Sequence, residues 1–466
     1  MVERRSRRTV LTTVGSGAVF ALTGCVGGDD DGEGNGNGTS TGNGNGVTPD
    51  GDVSGSLKIG VVHPLTGPAA AIGTQALQGL YSGFAYKLGT DPNADIGAGS
   101  YTVGDGNLEF EVFTRDTQFD PDEAQRLATN LVQEQEVDIL IGATSTSSTE
   151  RILQQVVDPA GIPLLCDVSA SASLTRNPET CSDLFYHFSE NSAMDARAGG
   201  EYIAQHTDIS SAYLVAADYS YGRSIARNYT AVLEKNDIDI TGEQFVPQGY
   251  QRFGGVYETA RDSGADAIIG SFSSVTMPDF LRGAFTVDHD MRVTTGITTE
   301  PVFAAAANLL EESLGSPLTA EKIEEAKFGP FSSRYHWNQY DNAINDEFVE
   351  MYTETYDAMP DLYTSSSFTT SSALVQAIQE SSSTEPSDIV DALKGMTVQD
   401  TPKGEGAYVL QKYNNKARSP MTVSNMIPNE DVDLWEAGVM LDEPDETIDK
   451  EQTTIPEDSD LMDCSL

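Results

Sequence analysis

Residues 137–157 read VDILIGATSTSSTERILQQVV. VDILIG is a short apolar run with the character of a buried strand. ERILQQVV carries its apolar residues at helical spacing. Between them stand six consecutive hydroxyl residues, Thr144 to Thr149. Ser and Thr satisfy the open N–H groups of a helix's first turn, but one or two of them suffice. The surplus points to a ligand held at a strand-to-helix turn.

The same unit recurs along the chain. SLKIGVVHPL is followed by the helical AAIGTQALQGLYSGFAYKL, LEFEVFTRDT by PDEAQRLATNLVQEQ, and SSAYLVAAD by YGRSIARNYTAVLEKN. This alternation predicts an α/β fold of doubly wound parallel sheets with helices on both faces. A body of about 400 residues exceeds one such core, so two lobes are expected. In open parallel sheets ligands lie beyond the carboxyl ends of the strands. The turns at those ends, among them HPLTGPAAAIG, CDVSASASLT, ADYSYGRS and SFSSVTMP, are rich in Ser, Thr, Gly and Tyr.

The chain opens MVERRSRRTVLTTVGSGAVFALTGC. Its apolar stretch, residues 10–22, is shorter than the roughly 20 residues that span a bilayer and fits the core of an export signal. Ser6-Arg7-Arg8-Thr9-Val10-Leu11 resembles a twin-arginine signal, and Leu22-Thr23-Gly24-Cys25 resembles a lipobox. Residues 1–24 are therefore expected to be removed, leaving Cys25 as a lipidated first residue that holds the protein at the outer face of the cell membrane. Residues 25–56, mostly Gly, Asn, Asp, Ser and Thr, read as a flexible tether.

The 27 Lys and Arg stand against 72 Asp and Glu, a formal charge of −45. Phosphate would be repelled, which excludes nucleic acid as a partner. The acids are spread along the chain, a pattern that suits a surface bathed in concentrated salt, and we read it as that of a halophilic archaeon. Outside the cell disulfides persist. A Cys166–Cys181 bridge is expected across a polar loop, with other pairings involving Cys464 left open. Asn37 and Asn228 begin N-glycosylation sequons.

The chain contains no G-x-S-x-G, H-E-x-x-H, G-x-x-x-x-G-K-[ST] or C-x-x-C, and its five histidines are scattered without ligand spacing. The expectation is a protein that is not an enzyme, with no metal and no cofactor. A hydrolase built on the hydroxyl turn would need a base, for which His63 is the nearest candidate.

IGVVHPLTGPAAAIG, the D-x-x-x-D-P stretch at residues 116–121, GATSTSST, IPLLCDVSASASLT and Ala217-Asp218-Tyr219-Ser220-Tyr221-Gly222 together resemble the type I periplasmic binding proteins, over residues 57 to about 427. The most similar subgroup serves ABC importers of branched-chain amino acids, urea and short amides. The resemblance implies two lobes joined by three crossings, near residues 187–191, 331–336 and 398–402. The lobes would be 57–188 plus 334–398 and 189–333 plus 400–445, followed by an acidic tail at 446–466. It implies a monomer that takes a small polar solute, an amino acid first or else urea, an amide or a small carboxylate, and hands it to ABC permease subunits. It places a ligand carboxylate on Thr146 and Ser147, with a second contact turn at Ser169, Ala170 and Ser171. Tyr221 and Ser273 would face them from the other lobe. The acid for a ligand ammonium falls at Thr298 by position, with Glu300 two residues on as the carboxylate that serves.

Overall fold

The computed structural model describes residues 53–466 apart from 274, 297, 316–317 and 431–432. The leader, the tether, Cys25 and Asn37 lie outside the described residues.

The first sheet consists of β1 (Gly55–His63), β2 (Gly99–Gly104), β3 (Leu108–Asp116), β4 (Ile139–Gly142), β5 (Leu164–Cys166) and β6 (Phe185–His187), in the order β2-β3-β1-β4-β5-β6. All neighbours are parallel except β2 with β3. The unbroken apolar runs reflect cover on both faces. Ile139 and Ile141 join one core with Leu57, Leu80 and Phe84, while Leu140 between them joins another with Leu131, Ile152 and Leu153. Helices α1 (Ala70–Leu88), α2 (Pro121–Glu134) and α3 (Thr146–Ile152) follow β1, β3 and β4, and α3 runs on into a π-helical turn, Leu153–Val157. The D-x-x-x-D-P stretch starts α2: Asp120 accepts from the Glu123 N–H at 2.8 Å, and Pro121 fills a position whose N–H would have no helical partner.

After α4 (Ser192–His206), the chain builds a second parallel set: β7 (Ser211–Ala217), β8 (Asp239–Val246), β9 (Ala267–Ser271), β10 (Arg292–Thr295) and β11 (Phe328–Ser333), with α5 (Ser220–Lys235) and α6 (Glu300–Leu314) among its helices. Helices α7 (Ala343–Tyr356) and α8 (Thr364–Ser381) then return to the first lobe. Gly79 and Gly83 of α1 lie so close to Thr364 and Phe368 of α8 that a Cβ would meet backbone oxygen at 2.4 Å.

The last 70 residues, 397–466, differ from the expectation. Strands β12 (Thr397–Val398), β13 (Tyr408–Leu410) and β14 (Ala417–Arg418) form an antiparallel meander, and Tyr408, Leu410 and Ala417 belong to the core of Leu57 and Ile59. The third crossing therefore falls at Ser419–Pro420, not at 398–402. It leads into β15 (Met421–Ser424), then the hairpin of β16 (Met426–Pro428) and β17 (Val439–Leu441), then β18 (Glu446–Ile448). β15 and β18 add antiparallel strands beside β11, completing the order β18-β15-β11-β10-β9-β7-β8.

Residues 446–466 are thus no free acidic tail. β18 belongs to the second sheet, Ile455 packs against Ala172 and Ala193, and Cys464 is bonded to Cys181. This corrects the Cys166–Cys181 pairing. Cys166 is a buried free thiol inside β5, where burial pushes it up to about 12, and Cys181 sits with its Cα 5.4 Å from that of Cys464. The Asn228 sequon is also ruled out, because Asn228 is buried in α5 with Nδ2 donating to the Ser224 carbonyl at 2.8 Å.

The crossings are tied by buried charge. Glu190, on the first, accepts from Lys403 Nζ at 2.7 Å, Tyr408 OH at 2.5 Å and Ser419 Oγ at 2.9 Å. Burial alone would raise the Glu190 carboxyl, but the Lys403 charge and these bonds hold it down at about 2.

Candidate ligand-binding cleft

A cavity of about 490 Å³ opens where the carboxyl ends of both sheets face each other. Its walls follow the strand ends in turn. Thr144, Ser145, Thr146 and Ser147 come after β4, and Val168 and Ala170 after β5. Asp218 to Tyr221 come after β7, Pro247 and Gln248 after β8, Ser273 after β9 and Arg334 after β11. Ile72, Phe119 and Tyr363 complete it. The volume suits a small organic ligand. A larger groove, about 820 Å³, lies at the amino ends of β9 to β11, where its charges form surface pairs such as Lys327–Asp290.

The six hydroxyls divide into distinct tasks. Ser145 is the N-cap of α3, accepting from the Ser148 N–H at 3.1 Å. Ser148 bonds back to Ser145 Oγ at 2.7 Å. Thr149 is buried, donating to the Ser145 carbonyl at 3.1 Å and bonding Ser169 Oγ at 2.6 Å. Thr144 bonds His63 Nδ1 at 3.0 Å. Thr146 has no side-chain partner among the described residues, and Ser147 has only a 3.3 Å contact with Ser145 Oγ. The two hydroxyls with no structural duty are thus two that line the cavity.

The second contact turn is only partly brought there. Ala170 lines the cavity, but Ser169 is buried behind it, donating to the Ala143 carbonyl at 2.7 Å, and Ser171 caps a 3₁₀ turn through the Ser173 N–H at 3.2 Å. Across the cavity Tyr221 and Ser273 line the wall, and Tyr221 stacks on Tyr219 with centroids 6.4 Å apart.

Glu300 does not line the cavity. It is the first residue of α6: its N–H donates to Asp361 Oδ2 at 3.0 Å, and its own Oε1 accepts from the Glu436 N–H at 3.1 Å. It faces the loop of Glu436 rather than the cleft, and burial raises its carboxyl.

The charge that the sequence did not reveal is Arg334. It is buried at the cavity wall and grips Asp195 of α4 through Nε at 2.9 Å and Nη2 at 2.5 Å. Burial works against the guanidinium, yet the Asp195 charge outweighs it and Arg334 stays more firmly protonated than usual. Tyr221 OH donates to the same Asp195 Oδ2 at 3.4 Å, and burial beside that carboxylate drives the phenol up. With Arg334 bidentate on it, Asp195 is not a free acid. A strand-end position was the one available signal for Arg334; Asp195, inside a helix, gave none.

The model of the periplasmic binding protein family matches residues 56–430. The chain belongs to that family. None of the curated proteins matches. Among solved structures, an ABC-type branched-chain amino acid transporter protein from Rhodopseudomonas palustris is 22% identical, with a TM-score of 0.67 over 86% of this chain and 98% of that one. A solute-binding protein of an ABC transporter from the same species, in complex with 3,4-dihydroxybenzoic acid, is 16% identical with a TM-score of 0.66, covering 85% and 98%. A leucine-binding protein from Thermotoga maritima is 16% identical with a TM-score of 0.65, covering 85% and 99%. At these identities the likeness is one of fold, the α/β type I periplasmic binding fold. No helix among the described residues is long and apolar enough to cross a membrane.

Proposed function

We propose that this family member is the extracytoplasmic substrate-binding component of an ABC importer, and that its cleft captures a small carboxylate carrying an apolar, ring-sized group for delivery to the permease. The observation that carries the reading is the pair Thr146 and Ser147, free of structural work, at the first turn of a helix on the cavity wall. Neutral donors at that place hold an anion without bringing in a competing charge. Phe119 and Tyr363 from the first lobe and Tyr219 and Tyr221 from the second also line the cavity, and their rings favour an aromatic body. Of the ABC transporter proteins that share the fold, one is in complex with 3,4-dihydroxybenzoic acid, which supports a ring-bearing carboxylate, and one is named for branched-chain amino acids, which supports the second reading below. Cys25, lipidated, would hold the protein at the membrane beside its permease.

An α-amino acid is the second reading. Asp218 lines the cavity, paired with Arg223, and is the acid that an ammonium group would meet. A thermal-shift screen in molar salt with benzoate, 4-hydroxybenzoate, phenylacetate, leucine, acetamide and urea decides between them. A true ligand at about 100 times its Kd stabilises by about 2.7 kcal/mol. Stabilisation by leucine alone would replace the first reading with the second.

A further inference from the structure

The buried arginine of the cleft has bonding capacity that the protein does not use. A guanidinium carries five N–H groups and no acceptor. Arg334 spends two of them on Asp195, from Nε at 2.9 Å and from Nη2 at 2.5 Å. Nη1 donates to no group among the described residues, and it is not one of the side-chain atoms buried without a partner. Arg334 lines the cavity and its side chain is only 2% exposed, so the opening at Nη1 is onto the cavity.

The surroundings hold that nitrogen in place. Asp195, fully buried in α4, grips the Nε–Nη2 edge, which turns Nη1 of the planar group away from the carboxylate. Tyr221 OH donates to Asp195 Oδ2 at 3.4 Å. Arg334 follows directly on β11, whose neighbours β10 and β15 fix the end of the strand. The cavity thus offers donors from two separate segments, Thr146 and Ser147 after β4 and Arg334 after β11. They differ in kind, because a hydroxyl donates and accepts whereas a guanidinium only donates. A methyl group set against Nη1 would leave it unpaired; an acceptor oxygen would satisfy it. Asp195 already supplies the counter-charge, so a neutral oxygen suffices.

We infer that Arg334 Nη1 is the second anchor of the cleft and takes an acceptor oxygen on the ligand's ring, a hydroxyl or carbonyl, so that the substrate is an oxygenated aromatic carboxylate rather than a plain one. Arg334 is the specificity-determining residue, and Asp195 is a positioning residue. The class of ligand rests on the carboxylate reading above, whereas the contact at Nη1 does not.

Calorimetric titration of the full chain with paired probes separates the two. The 3- and 4-hydroxybenzoates are compared with the methylbenzoates of the same substitution, and with the 3- and 4-hydroxybenzamides. At one of the two ring positions hydroxyl should be preferred to methyl by about tenfold or more. That preference should vanish in Asp195→Leu with Arg334→Met, which removes the buried pair together, and in Arg334→Lys, which keeps a cation for Asp195 but has a single nitrogen. The preference of acid over amide should survive in both variants, since Thr146 and Ser147 carry it; its survival also shows that the cleft is intact. Equal affinity for hydroxyl and methyl in the wild type, or a hydroxyl preference unchanged in both variants, overturns the inference. Loss of the acid preference in place of the hydroxyl preference would move the carboxylate itself to Arg334 and overturn it as well. If the hydroxybenzamides bind as tightly as the acids while the hydroxyl preference depends on Arg334, the carboxylate reading fails and the Nη1 contact stands. If no member of either series binds, both fall.

Discussion

The division of labour in the hydroxyl turn allows binding to be separated from folding. Replace Thr146 and Ser147 together with Ala. Neither caps α3, since Ser145 does that through the Ser148 N–H at 3.1 Å. Neither is buried, and neither bonds another segment. Surface changes of this kind move stability by about 0.5 kcal/mol or less. A hydrogen bond to a charged group contributes roughly 1.5–3 kcal/mol. The pair should therefore lose at least about tenfold in affinity, since 1.4 kcal/mol is tenfold. Ser145→Ala is the mirror control, losing about 1 kcal/mol of stability as a lost cap does. Titration calorimetry with the tightest-binding carboxylate of the screen, beside melting curves of both variants, reads the two quantities apart. Unchanged affinity in the double variant would refute the assignment of these hydroxyls to the ligand. A melting temperature lowered as far as that of Ser145→Ala would return them to a structural role.

Asp195→Asn leaves Arg334 buried without its counter-charge and should destabilise by about 3–5 kcal/mol in denaturant titration, whereas Asp195→Leu with Arg334→Met should recover much of that loss. The Cys181–Cys464 bond closes a separation of 283 residues, so Cys181→Ser with Cys464→Ser should lower the melting temperature, with an entropic ceiling on the order of 5 kcal/mol. Limited proteolysis of that variant should cut first after residue 450. Burial outweighs the donors Leu362 N–H, Glu300 N–H and Gln75 Nε2 and moves Asp361 up to about 7 from 3.8. Between those values the native state binds a proton that the unfolded chain does not, so this residue makes stability fall as pH rises from about 4 to about 7. Asp361→Asn should remove that slope from melting curves taken across the range. The net charge of −45 predicts a melting temperature that drops on dilution from molar to millimolar salt; a level response would contradict the halophilic reading.

The α/β alternation, the parallel sheets and the position of the hydroxyl turn were legible because each is a local pattern: apolar runs, helical spacing, a cap followed by Pro121. What was not legible depends on pairs remote in sequence. Cys166 and Cys181 are 15 positions apart, yet Cys166 points into the core of β5 and Cys181 meets a residue 283 positions away. In the second contact turn the sequence offers Ser169, Ala170 and Ser171, and it is the alanine that reaches the cavity. Which of three consecutive residues faces the cleft depends on the backbone path after β5, and hydroxyl content does not report it. The third crossing was misplaced for a similar reason. Residues 400–418 were expected in the second lobe, but 397–418 pair as a meander whose Tyr408 and Leu410 complete the first core.

The choice of Glu300 as a ligand acid shows where composition misleads. With 72 acids in the chain, an acidic residue near a strand end is weak evidence of a role. Burial is the sharper filter, because removing a carboxylate from water is tolerated only with a partner. Among the described residues the buried acids are Asp167, Glu190, Asp195, Glu201 and Asp361. Asp195 holds Arg334 at the cavity wall, Asp167 holds His63 behind Thr144, and Glu190 holds Lys403 at the crossings. Asp361 joins Gln75 of the first lobe to the N–H of Glu300 in the second. Four of the five therefore sit at or behind the cavity wall or where the two lobes meet, and all four are already engaged by a protein group. A ligand ammonium would have to displace one of these partners or use the half-exposed Asp218. A ligand carboxylate would meet Thr146 and Ser147 without displacing anything, which is the physical ground for proposing a carboxylate without an ammonium group, rather than an amino acid, as the ligand of this cleft.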